Sequence, residues 1–257
     1  MLLTIDVGNT QIYAGVFDGD KIKASFRRTS SGAVTSDELG VFLLQVLRAN
    51  AIEPRAIAEI AIASVVPDLT RSIANCARKY FCLEPFIVGR ETKSGLFIKG
   101  GAYNGLGADR IAGIEGAIHL YPRKNLIVVD FGTANTFDAV HKSGEYRGGA
   151  ISAGVGMSMS ALASGAALLS NVEIKNPGRS AGMNTTTQLQ AGLFYTGLGS
   201  MKEICTRLGK ECFRREDYII IGTGGLGRLY EHENVFKAYV PDLVLIGLRE
   251  LMRKNTG

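Results

Sequence analysis

The chain opens on a short apolar run, Leu2-Leu3-Thr4-Ile5, that stops at an acid, Asp6, with a glycine, Gly8, two positions on. The same order returns at Leu126-Ile127-Val128-Val129, Asp130 and Gly132. Short apolar runs bounded by turn formers predict buried strands. Further along, Tyr13-Ala14-Gly15-Val16 matches Phe137-Asp138-Ala139-Val140, and each is followed by a turn, Asp18-Gly19-Asp20 or Lys142-Ser143-Gly144, that joins two strands into a hairpin. Each half therefore begins with strand, glycine turn, strand, tight turn, strand, and the position of the two copies argues for duplication.

Between the copies the apolar period lengthens. Leu39, Phe42, Leu43, Val46 and Leu47 share one face of a helix from Ser36, its expected cap, to Ala49. A strand from Ile60 to Val66 ends at Pro67, a helix follows from Leu69 to Tyr80, and Pro85 to Val88 reads as a short strand. The glycine-rich segment Gly95 to Gly107 leads into a helix from Asp109 to Leu120, with Ile111, Ile114 and Ile118 on its core face. The second copy continues through an alanine-rich stretch (Met157 to Leu169), a polar loop (Asn171 to Asn184), a helix (Thr185 to Leu208), a strand (Tyr218 to Ile221) and a terminal helix (Asp242 to Lys254). Strands alternating with helices define the α/β class. We place the halves at residues 1–116 and 117–257, with the terminal helix packing back on the first.

Composition narrows the class of protein. With 46% apolar and 21% charged residues among 257, the chain has ample material for a core. Cys76, Cys82, Cys205 and Cys212 form no Cys-x-x-Cys pair, and the three histidines lie far apart, so buried reduced thiols are expected rather than a metal site. The start carries no basic leader and no later stretch reaches membrane-spanning length, which points to a cytoplasmic protein with no membrane partner. The net charge of +5 comes from 29 Lys and Arg scattered among 24 acids, without the basic block that a nucleic-acid partner needs.

Candidate chemistry gathers at glycine turns. In Asp6-Val7-Gly8-Asn9-Thr10 and Asp130-Phe131-Gly132-Thr133, an acid at a strand end can hold a metal ion or water, while the glycine lets backbone N–H groups approach a phosphate. Two such turns facing each other would clamp a polyphosphate with its Mg²⁺; each alone is equally an ordinary hairpin with an Asx turn. Gly222-Thr223-Gly224-Gly225-Leu226-Gly227 satisfies Gly-x-Gly-x-x-Gly but lacks the βαβ unit of a dinucleotide site, and it reads better as a turn brought close to a nucleobase or ribose, or as a plain strand-to-helix turn. Asp109, in Gly107-Ala108-Asp109-Arg110 at a helix start, is either a capping residue or a base beside a guanidinium that grips an acidic substrate. No Walker pattern and no Gly-x-Ser-x-Gly elbow occurs.

Taken in order, Asp6-Val7-Gly8-Asn9-Thr10, Ser64-Val65-Val66-Pro67, Gly107-Ala108-Asp109-Arg110, Val129-Asp130-Phe131-Gly132-Thr133-Ala134, Tyr146-Arg147-Gly148-Gly149-Ala150-Ile151 and Thr223-Gly224-Gly225-Leu226 resemble the actin, sugar kinase and heat-shock ATPase superfamily, and within it the type III pantothenate kinases, over nearly the whole chain. The resemblance implies two ribonuclease H-like (actin-like ATPase) halves, mixed sheets flanked by helices, with ATP in the cleft between them. It implies phosphorylation of pantothenate to 4'-phosphopantothenate, the first step of coenzyme A biosynthesis. By the same resemblance Asp6, Val7, Gly8, Asn9, Thr10, Gln11, Ile12 and Tyr13 bind ATP, Thr133 meets its phosphates, and Asp130 holds a monovalent cation, K⁺ or NH₄⁺, while Mg²⁺ accompanies ATP. Asp109 becomes the general base, Gly107, Ala108, Arg110 and Thr185 hold substrate, and the chain forms a homodimer. Where the family carries a substrate tyrosine this sequence has Gly100, with Tyr103 offset; Ala153 and Met183 also depart from the family pattern. A kinase of another small hydroxy acid and a nucleotide-binding accessory protein are the two alternatives.

Overall fold

The computed structural model describes residues 1–30, 34–99, 105–166 and 169–256. The chain divides into two compact units, residues 1–120 joined by the terminal helix, and Tyr121–Asp242.

In the first unit, β1 (Leu2–Val7), β2 (Gln11–Asp18), β3 (Lys21–Thr29), β4 (Glu59–Ser64) and β5 (Phe86–Ile87) form one sheet in the order β3-β2-β1-β4-β5. β1 pairs antiparallel with β2 and parallel with β4. Its near-continuous apolar sequence follows from that central place, since both faces are covered. Leu3, Ile5 and Val7 pack into a core with α1 (Ser36–Ala49) and α2 (Pro67–Cys76). Leu2, Phe17, Ala61 and Ala63 meet α3 (Ala108–Leu120) and the terminal helix, whose residues Val244, Leu245, Leu248 and Leu251 belong to the same cluster.

The second unit repeats the plan. β6 (Asn125–Phe131), β7 (Ala134–Val140), β8 (Tyr146–Ala153), β9 (Tyr218–Thr223) and β10 (Ala238–Tyr239) lie in the order β10-β9-β6-β7-β8, which read from the other edge is the order of the first sheet. β6 is antiparallel to β7 and parallel to β9. α4 (Val155–Gly165) and α5 (Thr185–Phe213) contribute Val155, Met159, Phe194, Leu198 and Met201 to its core. The last helix, α6 (Leu243–Thr256), packs on α3 and β1 of the first unit.

Several local expectations need correction. The cap of α1 is Thr35, not Ser36: its hydroxyl accepts from Glu38 N–H at 3.2 Å while Glu38 Oε2 accepts from Thr35 N–H at 2.8 Å, a reciprocal capping box. α2 starts at Pro67, where a missing N–H costs nothing. α5 runs on to Phe213 because Gly209 and Phe213 keep its buried stripe intact beyond Leu208. β10, two residues long, carries no period that sequence could show. Cys76 and Cys205 are buried as expected, Cys212 partly so, but Cys82 is exposed. Among the described residues no helix is long and apolar enough to cross a membrane.

Candidate active site

The sequence repeat is also a repeat of register. Asp6, next to last in β1, stands opposite Tyr13 of β2 and Ala63 of β4. Asp130, next to last in β6, stands opposite Thr136 of β7 and Thr223 of β9. Both acids therefore end the central strand of their own sheet.

Beyond Asp6 the chain turns at once. Gly8 N–H donates to Gln11 O at 3.0 Å, leaving Asn9 and Thr10 exposed at the tip. Ser30 fastens this turn to the end of β3, its hydroxyl donating to Gly8 O at 2.6 Å and its N–H to Thr10 O at 2.9 Å. Val7 and Ile12 send their side chains into the core, so only their backbone groups can meet a ligand. Tyr13 lies under Arg27, whose guanidinium carbon is 3.5 Å from the ring centroid, a stacked cation–π pair.

In the second unit, Thr133 is exposed and its carbonyl accepts from Gly154 N–H at 3.1 Å. The Gly222–Gly227 turn closes on this same strand end. Gly224 has φ of +86°, and a Cβ there would overlap the Asp130 carboxylate and the Phe131 backbone. Tyr239 donates to Gly224 O at 2.7 Å and Leu226 N–H to Phe131 O at 3.3 Å, which fixes the turn. Asp130 thus sits in a cradle of backbone.

Asp109 is the second residue of α3, inside the helix and not its cap. Gly107 O takes the first helical bond, from Ile111 N–H at 3.0 Å. Asp109 Oδ1 accepts from Arg110 N–H at 2.7 Å and lies so close over Gly107 that a Cβ there would overlap it. The helix N-terminus favours negative charge at this point. A cavity of about 390 Å³ opens beside it, lined by Ser64 at the end of β4 and Val65 after it, Val88 to Arg90 after β5, and Gly105 to Ala108 with Ile111. The Ser64-Val65 and Gly107-Ala108 motifs are brought together here, with Val65 Cγ1 about 3.3 Å from the point where Gly107 would carry a Cβ. Arg90 was missed by sequence reasoning: a single arginine in a surface turn has no period and no motif to announce it. Gly100 and Tyr103 lie outside the described residues. Thr185 is the exposed first residue of α5, capped by Asn184, whose Oδ1 accepts from Thr187 N–H at 2.9 Å.

Comparison with known proteins places this arrangement. A Campylobacter jejuni structure described as a Baf family transcriptional activator superposes with a TM-score of 0.61 over 99% of this chain and 98% of that one, at 19% identity. A ROK family glucokinase from Streptomyces griseus, solved with glucose and AMPPNP, gives 0.52 over 99% of both chains at 12% identity. The fold is thus the duplicated α/β architecture shared with sugar kinases. The model of the type III pantothenate kinase family matches residues 2–207. Type III pantothenate kinases from Elusimicrobium minutum and Legionella pneumophila are 53% and 44% identical to this chain, over 99% and 100% of its length and of theirs. The chain belongs to the type III pantothenate kinase family.

Proposed function

We propose that this protein transfers the γ-phosphoryl group of ATP to the primary hydroxyl of pantothenate, giving 4'-phosphopantothenate and ADP. The observation that carries the reading is the full-length identity of 53% to a type III pantothenate kinase, which spans both acid-glycine turns and the Asp109 helix start alike.

The chain's own residues divide the work as follows. The Asp6 to Tyr13 turn receives ATP: Asn9, Thr10 and Gln11 offer exposed donors, Val7, Gly8 and Ile12 their backbone, and Tyr13 its stacked ring. Thr133 meets the phosphates. Gly107, Ala108, Arg110 and Thr185 hold pantothenate. Asp109 takes the proton from the substrate hydroxyl as that oxygen attacks the γ-phosphorus in line and the bond to the ADP oxygen breaks. A carboxylate at a helix start is suited to this, because the N-terminal dipole keeps it ionised until it accepts the proton. Asp130, with the buried Thr223 beside it in register, would offer a monovalent cation hard oxygen donors. Such an ion would offset phosphate charge. Mg²⁺ would arrive with the nucleotide.

Self-association finds support in the second unit, where Ile151, Met157, Leu162 and Met183 are exposed apolar side chains. We place the partner copy there.

A substrate panel tests the reading. Pantothenate should be turned over with ATP far faster than other small hydroxy acids; a different acid preferred over pantothenate would replace the assignment, and ATP binding without transfer to any acid would favour an accessory role.

A further inference from the structure

The substrate of the proposed reaction is an acid with two ends. Its hydroxyl must reach Asp109 in the first turn of α3, beside Arg110, and its carboxylate lies at the other end of the molecule, where a second cation can meet it. Among the described residues that line the cavity beside Asp109, Arg90 is the one charged side chain; the rest of that wall is backbone, Ser64 and apolar groups.

Arg90 is held in a turn fixed at both ends. On the side of β5, Val88 N–H donates to Ile62 O at 2.9 Å. Across the turn, Gly89 N–H donates to Thr92 Oγ1 at 2.9 Å and Thr92 N–H to Gly89 O at 3.2 Å, with Thr92 buried. Beyond it, Lys93 and Asn255 of α6 exchange two hydrogen bonds, Lys93 N–H to Asn255 Oδ1 at 2.9 Å and Asn255 Nδ2 to Lys93 O at 2.8 Å. The backbone that presents the guanidinium is therefore ordered before any ligand arrives, which removes part of the cost of binding. Arg90 itself is exposed and makes no ion pair or side-chain hydrogen bond among the described residues, so it can take a ligand without breaking an internal contact.

Resting on the pantothenate kinase reading, we infer that Arg90 is a specificity-determining residue that binds the substrate's carboxylate from the wall of this cavity. The planar fork of a guanidinium matches a carboxylate with two parallel N–H donors, a geometry that a lone ammonium cannot offer. The turn thereby selects acids over neutral compounds that carry the same hydroxyl end.

The test compares pantothenate with its neutral alcohol analogue, in which the carboxylate is replaced by a hydroxymethyl group. Calorimetric binding and turnover of both compounds are measured for the wild-type protein, Arg90→Ala and Arg90→Lys. Wild type should favour the acid by about tenfold or more, the scale of a charge-assisted hydrogen-bonded pair. In Arg90→Ala that preference should collapse, with KM for ATP and the melting temperature unchanged, and Arg90→Lys should keep part of it. An acid preference that persists in full in Arg90→Ala overturns the assignment. A wild-type protein that neither binds nor phosphorylates either compound overturns the functional reading beneath it, a distinct result.

Discussion

In the proposed reaction Asp109 is the proton acceptor, and its surroundings set what its loss should do. Asn in its place is isosteric and can still accept from Arg110 N–H, so the helix start survives while the proton acceptor is gone. We expect Asp109→Asn to lower kcat by about 10²- to 10⁴-fold, the usual share of a general base, with ATP affinity unchanged by calorimetry. The cysteines give a prediction of another kind. Burial pushes the Cys76 thiol up to about 11 and the Cys205 thiol up to about 12, from an ordinary 9.0. A thiol whose pKa is raised by folding stabilises the native state fully below the unfolded value, and that contribution is lost as pH rises through the window from 9.0 to about 12. Thermal melts should therefore fall more steeply between pH 9 and pH 11 in the wild type than in Cys205→Ala, and iodoacetamide at pH 8 should label exposed Cys82 well before Cys205. At this scale the sequence showed the three acids, because an acid beside a glycine turn or a helix start is a local signal. It did not show Arg90, nor that Val7 and Ile12 point into the core, since both facts depend on which strands lie side by side.

At the scale of elements, the packing of α3 on α6 is set by two glycines. A Cβ on Gly247 would overlap Ala112 O, and one on Gly116 would overlap Leu243 O, so the helices touch backbone to backbone. Gly247→Ala should destabilise the protein by about 3 kcal/mol in urea unfolding, since neither side of the contact is a flexible side-chain end. Gly199→Ala, on an open face of α5, should instead stabilise by about 0.5 to 1 kcal/mol through helix propensity. The same helix pair buries Glu115, which accepts from Gly95 N–H at 2.6 Å and pairs with Lys254. Removing Lys254 alone would leave that carboxylate buried without its cation. Apart from β10, the types of the main elements were legible from apolar period and turn residues. Their ends were not: Thr35 and Ser36 are both good caps by composition, and only the reciprocal bond with Glu38 distinguishes them.

At the scale of the whole molecule, duplication was legible because both copies keep an acid and a glycine at the end of a central strand, and the two sheets share one strand order. If the exposed side chains Ile151, Met157, Leu162 and Met183 meet a second copy, light scattering should report a dimer, and Ile151→Asp should shift it toward monomer. Exchange of potassium for a bulky organic cation should lower turnover if Asp130 holds a monovalent ion. The reaction itself can be observed by incubating the purified protein with ATP, Mg²⁺, K⁺ and pantothenate and identifying the product by mass spectrometry and ³¹P NMR. One ADP should be released for each 4'-phosphopantothenate formed, with the phosphate on the primary hydroxyl; ATP bound or hydrolysed with no phosphorylated pantothenate would refute the proposed kinase activity.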